Sequence, residues 1–170
     1  MAELNVAAEE HGTNAKAGKR QRARREEQLR QTRQDIAAFR ERMQRLADNL
    51  TEWLEGYEVS ITRREMVPVS SAGAYTIPCI ALHCGRNWAG FTPQALYSVK
   101  GGIQIKGEVT LVVDNSRRYP RTEKYMLCMP GYLLSTADWA IHPAGRLPDK
   151  GNVLTRELLM RALAPLFDDA

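Results

Sequence analysis

The chain has 170 residues, 44% of them hydrophobic, and a formal net charge of +4. That is enough apolar material for one core of common size, while the absence of any run of about 18 uninterrupted apolar residues excludes a helical membrane protein. Mild basicity admits a polyanionic partner without requiring one. The three cysteines, Cys79, Cys84 and Cys128, are too few to staple a secreted scaffold, so a cytoplasmic location is expected.

Residues 1–15 are small, polar and acidic, with no apolar period and no basic-then-apolar leader layout. They read as a disordered tail. From Lys16 the composition changes to strong helix formers without proline, and residues 16–56 are expected to form one long basic helix. Within it Leu29, Ile36, Met43, Leu50 and Tyr57 recur every seven residues, and Phe39, Leu46 and Trp53 each follow by three. This is an a/d heptad with one polar core position, Thr32, and it predicts a coiled coil in which Leu29, Ile36, Phe39, Met43, Leu46, Leu50 and Trp53 make the oligomer seam. Asp35 at g and Arg40 at the following e would face each other in a parallel homodimer, while Arg33, Arg40 and Arg42 would also suit an acidic partner helix. The competing reading is a single amphipathic helix laid on the protein's own β-domain. A helix from residue 20 to 56 would rise by about 55 Å, more than such a domain can cover, so part of it must project or pair with another chain.

After Gly56 the period changes to two, and residues 57–170 read as a small antiparallel β-rich domain. YEVSITRREMVPV and AYTIPCIALHC are strand candidates, with Pro78 suggesting an edge or a bulge. RNWAGFTPQALYSVKGG is less regular, and a short turn of helix is expected after Pro93. IQIKGEVTLVV is the clearest strand, placing Ile103, Ile105, Val109, Leu111 and Val113 on a buried face and Lys106 and Glu108 on a wet one. DNSRRYPR makes a charged loop before the returning strand TEKYMLCM, and Trp139 and Ile141 are expected to pack on the sheet. Thr155 can cap a final helix whose Leu158, Leu159, Ala162, Leu163 and Leu166 share a face, with Pro165 ending or kinking it before Phe167. The fold class is therefore α+β: a long coiled-coil helix, an antiparallel sheet and a closing C-terminal helix.

Lys16, Lys19, Arg20, Arg22, Arg24 and Arg25 precede the heptads, and Lys19, Arg20, Arg22, Arg24 and Arg25 are the candidate nucleic-acid contacts. Arginine donates well to phosphate oxygens. The cluster lacks the Asn and Ala pattern of basic-zipper base readers and has no interleaved aromatic, so it supports backbone contact and not base readout. Cys79, His83, Cys84, Cys128 and His142 are the available soft ligands, but their spacing has no C-x-x-C and argues against a metal centre or other cofactor. No nucleophile elbow or phosphate loop is present. Glu108, Asp114, Glu123 and Lys124 are the remaining catalytic candidates, for metal-dependent phosphodiester cleavage, yet they lack the Glu-x-Lys spacing of restriction-type nucleases. The leading expectation is a non-catalytic oligomerising adaptor that pairs with itself or another coiled-coil protein and binds a protein partner through its β-domain. A dimeric nucleic-acid-associated protein is second, and a nuclease-like enzyme third.

Overall fold

The computed structural model describes residues 3–68, 71, 74–129, 139–145 and 152–168, with side chains from residue 12 onward. Helix α1 (Glu3–Trp53) is followed by seven strands, β1 (Ser60–Met66), β2 (Ile77–Cys84), β3 (Asn87–Lys100), β4 (Ile103–Asp114), β5 (Thr122–Met129), β6 (Ala140–Pro143) and β7 (Asn152–Val153), and by helix α2 (Arg156–Phe167). The strands form one antiparallel sheet in the order β1-β2-β3-β4-β5-β6-β7, so each pairs with its neighbour in sequence. The class is α+β, as expected. Helix α1 begins at Glu3, inside the stretch read as a tail, and the chain divides into two compact units, Met1–Ala37 and Ala38–Ala170.

In the second unit, Phe39, Met43, Leu46, Ala47, Leu50 and Leu54 on α1 are buried. Four of these, Phe39, Met43, Leu46 and Leu50, were expected at a seam between chains. Within this chain they are buried in its own core. The reason is the width of the stripe. Ala47 and Leu54 follow the seam residues at e, and an a, d and e face is the broad one that lies on a sheet, whereas a two-stranded coil needs only a and d. Phe39 meets the Trp139 ring edge-on at 6.2 Å between centroids. Trp53 is half-buried.

Arg40 is committed within the chain as well. Its guanidinium makes a fork to Glu65 on β1, with Nη1 to Oε2 and Nη2 to Oε1 both at 2.9 Å, and it also donates to the Thr76 carbonyl. A second clasp joins Arg63 on β1 to Asp48 on α1 at 2.8 Å. Asp35 accepts from Gln31 Nε2 at 3.1 Å. The fork holds the Glu65 carboxyl below its ordinary range, chiefly through the hydrogen bonds from Arg40. A depressed carboxylate stabilises the fold above its ordinary titration range and loses that contribution as pH falls through the lowered value. Glu65→Gln should therefore cost under about 1 kcal/mol at neutral pH, the scale of a solvent-screened pair, with the difference from the parent shrinking at a pH acid enough to protonate Glu65. Denaturant melts of both proteins at the two pH values check this, and a constant difference would refute it.

Two strands depart from the expected pattern. The segment around Pro93 forms no helix but belongs to β3, whose register with β4 shifts between Pro93 and Ala95. Pro78 is tolerated because β2 pairs only with β1 there, its pairing with β3 beginning at Ile80. In β4 a bulge at Gly107, where φ is +65°, interrupts the alternation. Val109, Leu111 and Val113 are fully buried, whereas Ile105 clusters with Met126, Cys128 and Ala140, and Ile103 is 45% exposed. Glu108, placed on the wet face by strict alternation, is buried and pairs with Lys100 at 2.7 Å.

Helix α2 starts as expected, with Thr155 Oγ1 accepting from the Leu158 N–H at 3.2 Å. Leu159, Ala162, Leu163 and Leu166 are buried. The helix continues through Pro165 to Phe167. Its last carbonyls, which lack helical partners, are taken up by two buried side-chain amides. Asn87 donates to Leu166 and Asp168, and Asn115 donates to Pro165 and Asp168, at 2.8–3.2 Å. Trp139 and Ile141 are buried as anticipated, while their neighbours 130–138 and 146–151 in the segment read as irregular lie outside the described residues.

Candidate functional site

The most concentrated charge in the chain lies on α1. Lys16, Lys19, Arg20, Arg22, Arg24 and Arg25 occur without an intervening acid, and every described side chain from Gly12 to Gln31 is exposed. At roughly 100° per residue, Lys16, Arg20 and Arg24 form one row and Lys19, Arg22 and Arg25 another, with row centres about 200° apart around the axis. The rows occupy opposite flanks. Ala17 and Gln21 fall on the arc between them, so two basic walls border a low face over a rise of about 14 Å from residue 16 to 25. Glu26 and Glu27 follow directly, and Glu27 is ion-paired with Arg30.

Arginine and lysine on both flanks can reach phosphates on both sides of a groove, and the major groove of B-form DNA, roughly 12 Å wide, admits an α-helix. All five residues singled out from sequence, Lys19, Arg20, Arg22, Arg24 and Arg25, belong to this exposed segment. The remaining seam positions in the first unit are Leu29, 58% exposed, and the half-buried Thr32 and Ile36.

The other candidates from sequence do not come together. Glu108 and Asp114 lie six residues apart on β4, a separation of about 20 Å along a strand. Each also has a structural partner: Glu108 holds Lys100, while Asp114 accepts from Arg121 Nε at 3.0 Å and from Thr122 Oγ1 at 3.0 Å. Glu123 accepts from the Tyr125 hydroxyl at 3.0 Å. The nuclease-like grouping is thus replaced by separate contacts that brace the sheet and its loop. Among the described residues no three His, Cys, Asp or Glu side chains gather as metal ligands.

Cys128 and His142 do approach one another, with Sγ 3.9 Å from Nε2 in a buried setting. Burial, and secondarily the charge of Glu108, push the Cys128 thiol up to about 11. A thiol so disposed is protonated at neutral pH, the opposite of the lowered value a nucleophilic cysteine needs. Cys84 is buried and Cys79 half-buried, both as free thiols.

One surface escaped the sequence reading. Residues directly opposite in an antiparallel sheet share a face, so the register makes two rows on the side of the sheet away from Phe91, Leu111 and Leu127: Ser60, His83, Trp88, Asp114 and Thr122, then Thr62, Ala81, Gly90, Val112 and Lys124. Trp88 is 38% exposed. Its sequence context, NWAG, shows alternation but not which face remains open. Comparison of the chain with protein-family models, with curated proteins and with solved structures gave no match.

Proposed function

We propose that this chain is a nucleic-acid-associated protein that grips the phosphate backbone with the basic segment of α1, the β-domain serving as the body that carries the arm. What supports the reading is the pair of exposed cation rows on opposite flanks of one helix, six positive charges over ten residues with no acid among them. Backbone contacts of this kind are indifferent to sequence and strongly dependent on salt, because each neutralised phosphate releases condensed counterions. With all six cations engaged on duplex DNA, the logarithm of the binding constant should fall with the logarithm of salt with a slope of about −5. Replacing Arg20, Arg22, Arg24 and Arg25 with Gln should flatten that slope to about −2. Fluorescence anisotropy of a labelled duplex across a salt series measures both, and an unchanged slope in the variant would remove the arm from binding.

A second reading keeps the assembly role. Leu29 is largely exposed at an a position, with Thr32 and Ile36 continuing the seam toward Ala37. This short stretch could pair with a second copy or another helix, leaving the β-domain to bind a protein. Two or three seam positions are few for a stable dimer, so the first reading is preferred. The solution mass of the full chain by light scattering, at low and high salt, separates the two.

A further inference from the structure

We propose that the Trp88 side of the sheet, across β1 to β5 as far as Lys124, binds single-stranded nucleic acid, with Trp88 as a platform on which one base stacks and Lys124 and Arg64 as contacts to the flanking phosphates. This rests on the nucleic-acid reading above and assigns it a second, chemically different site.

Gly90 is the neighbour that gives Trp88 its place on this face. A Cβ placed there would meet Trp88 Cζ3 at 3.4 Å and Cε3 at 3.9 Å, ordinary contact distances, so the Cζ3–Cε3 edge of the Trp88 ring reaches over the glycine. Trp88 reaches from its own row onto the next one, where the absence of a side chain at position 90 gives it room. The residue is 38% exposed, so part of the indole stands in solvent. An indole presented in this way is a costly thing to leave wet, and it is the surface on which bases stack irrespective of their identity.

The surroundings suit a polyanion. Thr62, Ala81, Gly90 and Val112 make a low floor of small side chains. Lys124, exposed, ends that row two strands from Gly90, about 10 Å away at roughly 4.8 Å per strand. Arg64 on β1 and His83 beside Trp88 are exposed on the other side. Asp114, the acid in the Trp88 row, is already held by Arg121 and Thr122. The cations are therefore the charges this floor offers to a ligand. A flat sheet cannot enter a duplex groove, and stacking needs a base that is not already stacked on both sides, so the fitting ligand is a single strand.

The test uses the full-length chain and two probes labelled for anisotropy, an oligo(dT) of about 15 nucleotides, within the site sizes of single-strand binders, and a duplex of the same length. Trp88→Ala should weaken the single strand roughly tenfold, and leave the duplex unchanged. Trp88→Phe should retain most of the single-strand affinity, and Arg64→Gln with Lys124→Gln should lower it while flattening its salt dependence. Unfolding midpoints measured in parallel identify any variant that has lost its fold, in which case the Phe and Gln variants decide. Equal single-strand affinity in Trp88→Ala and the parent overturns the proposal, as does an equal loss on both probes. Failure of the arm is a separate result: it appears as an unchanged duplex slope in the four-arginine variant, whatever Trp88 does.

Discussion

Truncating Phe39 to Ala should lower the stability of the protein by about 3–5 kcal/mol, the range for deleting a fully buried phenyl ring from a core. Phe39 is 1% exposed, stands edge-on to Trp139 and lies against the backbone of β4 at Gly107. Its removal leaves a void bounded by a sheet, which collapses less readily than a site among flexible side chains. For a unit of this size the loss corresponds to roughly 10–18 °C in melting temperature. The same experiment separates intramolecular packing from pairing between chains. A residue in a dimer seam gives an unfolding midpoint that rises with protein concentration, because association is linked to folding. A residue in its own core does not. Melts of the parent and Phe39→Ala over a hundredfold range of concentration should show a large, concentration-independent gap, and a midpoint that climbs with concentration would return Phe39 to the seam.

Gly107→Ala should be nearly as damaging for the complementary reason. At φ +65° a side chain is strained by about 1 kcal/mol or more. A Cβ at that position would also lie 2.6 Å from Met129 Cγ and 2.7 Å from Phe39 Cδ2. Relief requires the helix to lift or both side chains to move, which adds about 1–3 kcal/mol. The two substitutions should not add. With Phe39 already reduced to Ala, the flexible Met129 can swing aside and Gly107→Ala should cost about 1 kcal/mol, mostly its backbone strain, giving a coupling of roughly 2 kcal/mol in a double-mutant cycle. Additive effects would mean that the ring and the bulge do not touch.

These two residues also mark where sequence reasoning reached and where it stopped. The apolar period of α1 was legible, as were most strands, the Thr155 cap and the apolar face of α2. The use of the period was not, because a/d spacing is common to a seam and to a core-facing stripe. The signal that separates them is present at e: Arg33 and Arg40 occupy that position early in the helix, and Ala47 and Leu54 occupy it later. The stripe widens just where it enters the core. Gly107 is a different case. A glycine inside a strand pattern suggests a bulge, and reading through it at strict alternation put Ile103 and Ile105 with Val109 and sent Glu108 to solvent. Pro93 misled in the opposite direction, since a proline at a register shift interrupts local pattern without ending the strand. The basic rows needed only composition and helical geometry. Trp88 needed the sheet register, because no local feature of NWAG states which face of the finished sheet stays uncovered.

The order of the strands has a further consequence, for how the chain meets its own partners as it is made. Each strand pairs with the one synthesised just before it, so the meander can grow hairpin by hairpin. Helix α1 has no such neighbour. Phe39 must wait for Gly107 and then for Trp139, a hundred residues further along. At synthesis rates of about 5–20 residues per second, Phe39 spends roughly 5–20 s without Trp139. Closing so long a loop is also an entropically late step. The earliest part of the core to be made thus waits until most of the sheet has been synthesised.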